Sequence, residues 1–469
     1  MQKPFRPRRQ FWLCSLFVLA AGILLLVFVP AFYAHKDGDS PRAQGPVRIG
    51  APEPVRQATV ISPYGPGFEF ELISQFCREA FHRPEWVNVS DKDAGLAMLQ
   101  KGEIDVLVGF WGDLPETADG IAAGNAYAHF NPVRISGAVP PRAEPMEAGD
   151  APASAIDALA RTFSALMPAF LSRDEENAEA PPFPVFSLEE NNAGASADDI
   201  MLLDPASYAL WLPFMGDVST RRIRVQTPYR WFWRADGSPL AGELETFWKN
   251  SKRKEEVAEL TERYFGFLPR TLRQQDILEL AGTLAARLPA YEEFIKKAAK
   301  ETGVPPLLLV AVIYQESRFD PDAVSETQVR GIMQLTTATA KMLEVDRKNP
   351  EECIMGGARY LRDLRDKVGD KATNDWDRWF MALAAYNQGM SNLNRTIRLS
   401  KELGGKGNTW ADLKRAFPLS TTCRGIEAKS FVEKIRYYHF ILHGLVALAP
   451  AETQHLAPLL GLATGDGEF

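Results

Sequence analysis

The chain has 469 residues, enough for two or three domains that each bury their own core. Hydrophobic residues make up 46% and charged residues 24%, and the net charge of −7 gives no sign of nucleic-acid affinity. The four cysteines form no CxxC pair and the six histidines are scattered. The sequence therefore predicts no metal site, no cofactor and no histidine-based catalytic centre.

The N-terminus combines a basic cluster with an apolar stretch. The cluster contains Lys3, Arg6, Arg8 and Arg9, and the stretch runs from Phe11 to Ala34. This length is sufficient to span a bilayer, and no small-x-small cleavage site follows it. Residues 1–34 are therefore predicted to be a signal or transmembrane anchor, favoured as uncleaved, with the remainder of the chain facing outward. Residues 35–45 form a polar tether.

Residues 46–267 alternate between strand and helix patterns. Predicted strands lie at 47–49, 86–89, 104–109, 200–204, 223–226 and 229–233, and predicted helices at 68–81, 94–100, 240–250 and 254–265. Gly102 is a candidate C-cap of the second helix. An Ala-rich helix near 151–171 and an acidic, Pro-rich loop at 173–192 interrupt the pattern. The alternation favours an α/β domain with a largely parallel sheet.

Residues 268–449 show helical patterns and no strand, which predicts an all-α domain followed by a tail at 450–469. The predicted helices lie at 273–288, 290–302, 306–318, 333–343, 351–367, 375–387, 390–403, 409–416 and 427–448. Cys353 and Cys423 both lie in this region, and the sequence leaves a disulfide and free thiols equally open.

Glu316 ends an unusually apolar helix. The run Leu307–Ile313 has no polar side chain, and Pro305 and Pro306 suit a helix's first turn. A carboxyl on the last turn of such a buried helix is partly desolvated, which raises its pKa. A carboxyl that stays protonated near neutral pH can act as the general acid that cleaves a glycosidic bond. The alternative is a helix-end Glu paired with Arg318 or with solvent.

Four segments of the helical region occur together in one known family. They are Tyr314-Gln315-Glu316-Ser317, Gly331-Ile332-Met333-Gln334-Leu335-Thr336, Ala385-Tyr386-Asn387-Gln388-Gly389 and Glu427-Ala428-Lys429-Ser430-Phe431-Val432. Their order and spacing over residues 269–449 resemble the soluble-lytic-transglycosylase type, which has a goose-type-lysozyme-like helical fold. The resemblance implies Glu316 as the catalytic acid. It implies substrate-binding or supporting roles for Ser317, Met333, Gln334, Tyr386 and Asn387.

Each supporting residue also has a reading of its own. Ser317 is expected to hydrogen-bond the Glu316 carboxyl, or alternatively to bond back to its own helix. Gly331 permits close backbone approach, and Gln334 either faces the groove or is a surface glutamine. The Asn387 amide suits an N-acetyl group or a sugar hydroxyl, or forms a turn. Asp320 is read as a cap or loop residue.

One position departs from the family pattern. The fourth motif usually carries a Tyr where this chain has Phe431. The hydroxyl that the resemblance places against Glu316 is missing there, and Tyr437 and Tyr438 lie two turns further on.

The α/β region resembles another family. The segments Tyr64–Leu72 and Leu99–Asp105 resemble the amino-acid-binding periplasmic solute-binding proteins, which have two lobes. That family's ligand-clamping Arg is absent from residues 114–119, and Arg134 follows only later. Tyr64, Phe68 and Trp111 are the aromatic residues expected near the cleft, and for each a core position is favoured over a ligand contact. A small-molecule or muropeptide ligand, a regulatory role and a pure scaffold all stay open.

Together, the two resemblances point to the membrane-bound lytic transglycosylase F type. This implies a peptidoglycan lytic transglycosylase that cleaves the bond between N-acetylmuramic acid and N-acetylglucosamine and leaves 1,6-anhydro ends. The expected location is the cell envelope, facing the periplasm and anchored by the N-terminal segment. A hydrolytic muramidase and a non-cleaving peptidoglycan-binding or sensor protein are the alternatives.

Overall fold

The structure is a computed structural model. It describes residues 45–52, 62–110, 112–115, 118–130, 133–136, 200–203, 209, 219–222, 227–269, 274–420 and 424–447. The predicted anchor at 11–34, the predicted helix near 151–171 and Trp111 lie outside these ranges. Within them, no helix is both long enough and apolar enough to cross a membrane.

The main sheet of the α/β region has five strands. They are β1 (Pro46–Ala51), β2 (Arg83–Asn88), β3 (Val106–Leu107), β4 (Ile121–Ala123) and β10 (Phe232–Arg234), in the order β2-β1-β3-β10-β4. Strand β1 pairs in parallel with β2 and β3, but β10 runs antiparallel to β3 and β4. The expectation of a largely parallel sheet is therefore only half right. The reason is that β10, which comes much later in the chain, inserts between β3 and β4 and runs in the opposite direction.

The remaining strands form two smaller ladders. The residue ranges are β5 (Ala128–Phe130), β6 (Val133–Ser136), β7 (Ile200–Leu203), β8 (Ser219–Arg222) and β9 (Thr227–Tyr229). Strand β5 pairs with β9, and β6 lies between β7 and β8, always antiparallel. The strand predicted at 223–226 lies outside the described residues.

Four helices cover the main sheet: α1 (Phe68–Glu79), α2 (Lys92–Lys101), α3 (Pro239–Lys249) and α4 (Arg253–Phe265). Their apolar faces bury Leu72, Phe76 and Phe247 with Trp231 and the strand residue Ile49. The Asp91 side chain accepts a hydrogen bond from the Ala94 N–H at the start of α2, and Gly102 ends that helix in the left-handed region (φ 70°). The predicted C-cap is therefore confirmed.

The rest of the described chain is helical. Its helices are α5 (Gln274–Arg287), α6 (Glu292–Thr302), α7 (Pro306–Ser317), α8 (Thr337–Leu343), α9 (Pro350–Val368), α10 (Asp375–Gln388), α11 (Met390–Glu402), α12 (Trp410–Ala416) and α13 (Arg424–Ala447). Every residue from Leu307 to Tyr314 of α7 is buried, so the helix lies inside the core as its composition predicts. The expected class, an α/β region followed by an all-α region, is confirmed.

Tyr64 joins the two regions. Its ring is fully buried and makes edge contacts with Phe267, Trp376 and Phe380. Its hydroxyl donates to the Arg436 carbonyl oxygen at 2.6 Å. The core position favoured for Tyr64 is therefore confirmed, and the ring packs in the core of the helical region. Phe68 packs against Tyr264 and neighbouring rings.

Arg436 completes this junction from helix α13. Its side chain is fully buried, donates to the Glu262 carboxylate at 2.9 Å and to the Glu262 and Arg263 carbonyl oxygens, and lies over the Tyr64 ring. Helix α4 of the α/β region is thereby fixed to the helical region by a paired charge, with the extra hydrogen bonds that a buried pair needs.

We expect Tyr64→Phe to lower the free energy of unfolding by about 1–3 kcal/mol, because the buried Arg436 carbonyl loses its partner. Chemical denaturation followed by fluorescence measures this change. Tyr291→Phe is the matched control, since the half-buried Tyr291 hydroxyl has no hydrogen-bond partner among the described residues. Equal effects of the two substitutions would contradict this account of the junction.

Candidate functional site

The C-terminal end of α7 is locally strained. Arg318 and Phe319 directly follow the helix, and both have positive φ (52° and 61°), a region that non-glycine residues rarely adopt. Phe319 is almost fully buried, so packing holds the turn in place. Arg318 pairs with Glu279 on α5, and its carbonyl oxygen accepts a hydrogen bond from Arg287. Arg318 is therefore occupied elsewhere, and its pairing with Glu316 is not observed.

Glu316 occupies the last turn of α7, as the sequence predicts. Its side chain is only partly exposed, and desolvation raises the pKa of its carboxyl to about 8. Desolvation is the sole cause of this shift: no charged or hydrogen-bonding neighbour among the described residues lowers or raises it further. The carboxyl is therefore largely protonated at neutral pH and is available as a proton donor.

A tight loop follows the helix and returns to the site at Gly331. The Ser325 carbonyl accepts from Gln328 and its N–H donates to Val329, which closes a small turn. Gly331 has φ 87°, and a Cβ added there would overlap the Arg347 carbonyl oxygen. The close backbone approach predicted at Gly331 is therefore confirmed.

The Gln334 side chain holds this loop together through hydrogen bonds to its backbone. It also has positive φ (47°), and its side-chain Nε2 donates to the Ala323 and Gly331 carbonyl oxygens at 3.0 and 2.9 Å. Both amide protons thus tie the loop together, which leaves only the Oε1 acceptor for a ligand. Asp320 accepts a hydrogen bond from the Asp322 N–H, in agreement with its reading as a loop residue.

Ser317 does not hold Glu316. Its hydroxyl donates to the Ile332 carbonyl oxygen at 2.8 Å, with a longer contact of 3.4 Å to the Ile313 carbonyl of its own helix. The expected bond to the Glu316 carboxyl is therefore wrong, because the single hydroxyl proton fastens the end of α7 to the Gly331–Gln334 segment.

Tyr386 fastens the same segment from helix α10. Its hydroxyl donates to the Met333 carbonyl oxygen at 2.9 Å. Burial, together with the neighbouring Glu316 charge, raises the pKa of Tyr386 well above its usual value, so the phenol remains a proton donor. Met333 itself is fully buried and lies against Gly357. The structure therefore brings Glu316, Ser317, Met333 and Tyr386 together.

Asn387 and Phe431 differ in exposure. Asn387 follows Tyr386 and is exposed near the end of α10, where an amide is accessible to a ligand. Phe431 on α13 is buried with the core side chains. Tyr438 packs against Tyr314 with ring centroids 4.8 Å apart. Neither Tyr437 nor Tyr438 contributes to the pKa shift of Glu316.

Sequence reasoning missed two features of this site. One is the left-handed pair Arg318–Phe319, which carries no glycine signal. The other is Cys353 on α9, a buried free thiol whose Sγ lies close to Gly331. Cys423 lies outside the described residues. The pair Gly356-Gly357 in the sequence could have predicted that another segment packs closely against α9.

The comparison with known families bears directly on this site. A model of the transglycosylase SLT domain matches residues 293–408, which include Glu316 and every supporting residue named above. Residues 293–408 of the helical region are therefore similar to the transglycosylase SLT domain. The resemblance to the membrane-bound lytic transglycosylase F type, expected from the four motifs, is thereby confirmed.

Several proteins named membrane-bound lytic murein transglycosylase F are similar to this chain. One from Thiobacillus denitrificans is 37% identical over 235 residues, covering 48% of each chain. One from Alcanivorax borkumensis is 28% identical over 401 residues, covering 80% of this chain and 83% of the relative. The chain spans about half the length of the first curated relatives that it matches.

Solved structures of solute-binding proteins align with about half of the chain. The alignment with the substrate-binding protein of an amino acid ABC transporter covers 48% of this chain and 100% of that protein, with 11% sequence identity and a TM-score of 0.29. An ancestral arginine-binding protein bound to glutamine is 15% identical, covers 48% and 99%, and has a TM-score of 0.29.

We expect Gly331→Ala to lower the free energy of unfolding by about 1–3 kcal/mol, because alanine is strained at this positive φ. The overlap of the added Cβ with the Arg347 carbonyl oxygen should increase this loss. Gly282→Ala is the matched control of opposite sign. Gly282 lies inside helix α5 with nothing within 4 Å of an added Cβ, so alanine gains up to about 1 kcal/mol there. Thermal denaturation measures both changes, and a neutral Gly331→Ala would refute the close approach.

The raised pKa of Glu316 also predicts how stability depends on pH. The folded state keeps the proton up to about pH 8, whereas the unfolded state releases it near the ordinary value of 4.5. The stabilisation that the Glu316 proton gives to the folded state is therefore fully present below pH 4.5 and is lost as the pH rises through 8. We expect Glu316→Gln to unfold at higher denaturant concentration than the wild type at pH 8, with little difference at pH 4. A constant difference across this range would show that the folded-state pKa is not raised.

Proposed function

We propose that this chain is a peptidoglycan lytic transglycosylase that cleaves the β-1,4 bond between N-acetylmuramic acid and N-acetylglucosamine. The observation that supports this most directly is the Glu316 carboxyl, whose pKa is raised to about 8 by desolvation alone. A carboxyl that is protonated at neutral pH, at the end of a rigid buried helix, fits the role of a general acid. The SLT domain and the relatives' names support the same reaction.

The proposed mechanism uses one carboxyl twice. Glu316 first gives its proton to the glycosidic oxygen, and the bond from that oxygen to C1 of the muramic residue breaks. The resulting carboxylate then takes the proton from the 6-hydroxyl of the same residue while that oxygen bonds to C1. The product is a 1,6-anhydro ring, and Glu316 regains its proton. No water is consumed, in contrast to the usual glycosidase with two carboxylates.

The surroundings of Glu316 fit a single-carboxyl mechanism. Among the described residues, no second carboxylate contributes to the electrostatics of Glu316, and the nearest in sequence, Asp320, is engaged with its own loop. The nucleophile of the proposed reaction belongs to the substrate, so a second catalytic carboxylate is not required.

Three supporting assignments complete the proposal. Tyr386 and Ser317 are positioning residues, since they hold the Ile332–Met333 backbone beside Glu316. Asn387 and the free Oε1 of Gln334 are proposed to bind sugar hydroxyl or N-acetyl groups. The buried Met333 side chain is proposed to support this backbone segment from the core side.

The wider organisation is part of the proposal. Residues 46–267 form a solute-binding-protein-like domain and residues 268–449 the catalytic domain. Residues 1–34 anchor the chain in a membrane of the cell envelope, so that both domains face the periplasm and reach glycan strands. A small-molecule or muropeptide ligand of the first domain stays a prediction.

We expect Glu316→Gln to lower turnover of purified peptidoglycan sacculi by on the order of 10²–10⁴-fold, because the amide cannot give up the proton. Mass spectrometry of the soluble products is the measurement. Products of the wild type that are one water lighter than hydrolytic muropeptides support a transglycosylase, whereas reducing ends would make it a hydrolytic muramidase. If the wild type released no products at all, the result would support the non-cleaving peptidoglycan-binding protein instead.

The control for this experiment is Glu402→Gln. Glu402 allows the same substitution at an exposed position on helix α11. Its turnover should equal that of the wild type. Retained turnover in Glu316→Gln would remove the role assigned to this carboxyl.

A further inference from the structure

Two paired segments, residues 124–130 and 227–231, connect the main sheet of the α/β region to its three-stranded ladder. The chain leaves the main sheet after β4 and passes through β5 to β6, and it returns from β8 through β9 to β10. Strands β5 and β9 pair with each other, with Ala128 opposite Tyr229. The Gly124 N–H donates to the Trp231 carbonyl oxygen at 2.8 Å, which continues this pairing toward the main sheet. A movement of the ladder relative to the main sheet must therefore bend or shift this connector.

Glu69, in the first turn of helix α1, binds both segments of the connector. Its Oε1 accepts a hydrogen bond from the Tyr127 hydroxyl on the outgoing segment. Its Oε2 accepts one from the Trp231 indole N–H on the returning segment at 3.0 Å. The start of α1 is itself fixed to α4, because the Gly67 N–H donates to the Tyr264 hydroxyl at 3.0 Å. One carboxyl thus fastens both segments of the connector to a helix that covers the main sheet.

Aromatic rings enclose the Glu69 carboxyl. Only 7% of the residue is exposed, and Trp231 is fully buried. Trp248 of helix α3 stacks on Tyr127 with ring centroids 5.2 Å apart, and it meets Trp231 edge-on at 4.8 Å. Burial raises the pKa of Glu69 to about 7, although the hydrogen bonds from Tyr127 and Trp231 lower it. The carboxyl therefore pays for the loss of water and receives only two neutral donors in return.

The charged and titratable groups on the surrounding segments are engaged elsewhere. On the connector, Tyr229 packs against Tyr127, while Arg230 donates to the Gly124 carbonyl oxygen and pairs with Asp113. On α1 and α4, Glu71 pairs with Arg263 and accepts the Tyr264 hydroxyl, and on α3, Lys249 pairs with Glu245. Among the residues that the structure describes, no charged group contributes to the pKa shift of Glu69.

We propose that Glu69 is a proton-dependent latch, which holds the connector against helix α1 when protonated and releases it when charged. Local opening of the connector admits water to the carboxylate, which the closed, aromatic surroundings do not provide. The loss of the proton therefore favours the open connector. The proposal goes beyond the proposed function and does not depend on it, because it concerns the α/β region alone.

The direction and the pH range of the effect follow from the two states of Glu69. The closed connector keeps the proton up to a pKa of about 7, whereas the hydrated carboxyl releases it near the ordinary value of 4.5. The stabilisation that the proton gives to the closed connector is fully present below pH 4.5 and is lost as the pH rises through 7. The equilibrium constant for local opening should rise by about tenfold for each pH unit between 4.5 and 7 and then level off.

Amide hydrogen exchange of the full chain, followed by mass spectrometry between pH 4.5 and 8.5, measures this opening. The wild type is compared with Glu69→Gln, in which a neutral amide of similar size can accept from Trp231 and contact the Tyr127 hydroxyl. The ratio of the two exchange rates at each pH removes the intrinsic pH dependence of exchange and the contribution of Glu316, which both proteins share. Peptides from helix α11 report global unfolding in the same samples.

We expect this ratio to rise by about tenfold for each pH unit between 4.5 and 7 in both connector peptides, and to stay constant above pH 7. The ratio in the α11 peptides should remain near one. Glu103→Gln is the matched control, since it makes the same substitution at an exposed position of the same region. Its exchange should follow that of the wild type at every pH.

Two results would overturn the proposal. One is a ratio in the connector peptides that does not change with pH. The other is an equal rise in the α11 peptides, because Glu69 would then act on global stability only. If Glu69→Gln does not fold, Tyr127→Phe replaces it. Loss of the Tyr127 donor raises the pKa of Glu69 further, so opening should continue to increase above pH 7, and levelling off at the same pH as the wild type would equally contradict the latch.

Discussion

The desolvation of one carboxyl is the constraint on which the site depends. Glu316 comes at the end of a helix whose residues 307–314 are all buried, and no cation among the residues that the structure describes offsets the burial of its side chain. The apolar composition of α7 places this helix in the core and, for the same reason, raises the pKa of the group at its end. A partner such as a well-placed arginine would lower that pKa and remove the proton that the proposed reaction needs.

Strain around this carboxyl has a consistent location. Four of the non-glycine residues with positive φ, Arg318, Phe319, Gln328 and Gln334, lie within twenty residues of Glu316. Each is held by packing or hydrogen bonds, as with the buried Phe319 ring and the paired Gln334 amide. The loop from Arg318 to Gln334 is thus a conformation that the surrounding helices impose, which is typical of segments that position functional groups.

The junction between the α/β and helical regions follows a different principle. Tyr64 and Arg436 are both fully buried where the two regions meet, and the Tyr64 hydroxyl and the two Nη atoms of Arg436 are hydrogen-bonded across the boundary to backbone oxygens and to Glu262. Such groups are costly to separate, because each side would leave buried polar atoms unpaired. The α/β region is therefore part of the packing that supports helices α10 and α13, which carry Tyr386 and Phe431.

The helices of the C-terminal region, the bounds of α7 to within one residue and the position of Glu316 on its last turn could all be predicted from the amino-acid sequence. Local signals suffice for these features, since proline at the first turn, an uninterrupted apolar run and capping residues act within a few positions. The partners of the site residues could not be predicted in this way, because they depend on the tertiary packing. Ser317 bonds to Ile332 and not to Glu316, Tyr64 packs in the helical core, and the Cys353 sulfur lies close to Gly331. These contacts join segments that are distant in sequence, and a side chain with several available partners chooses among them only when packing has fixed the distances.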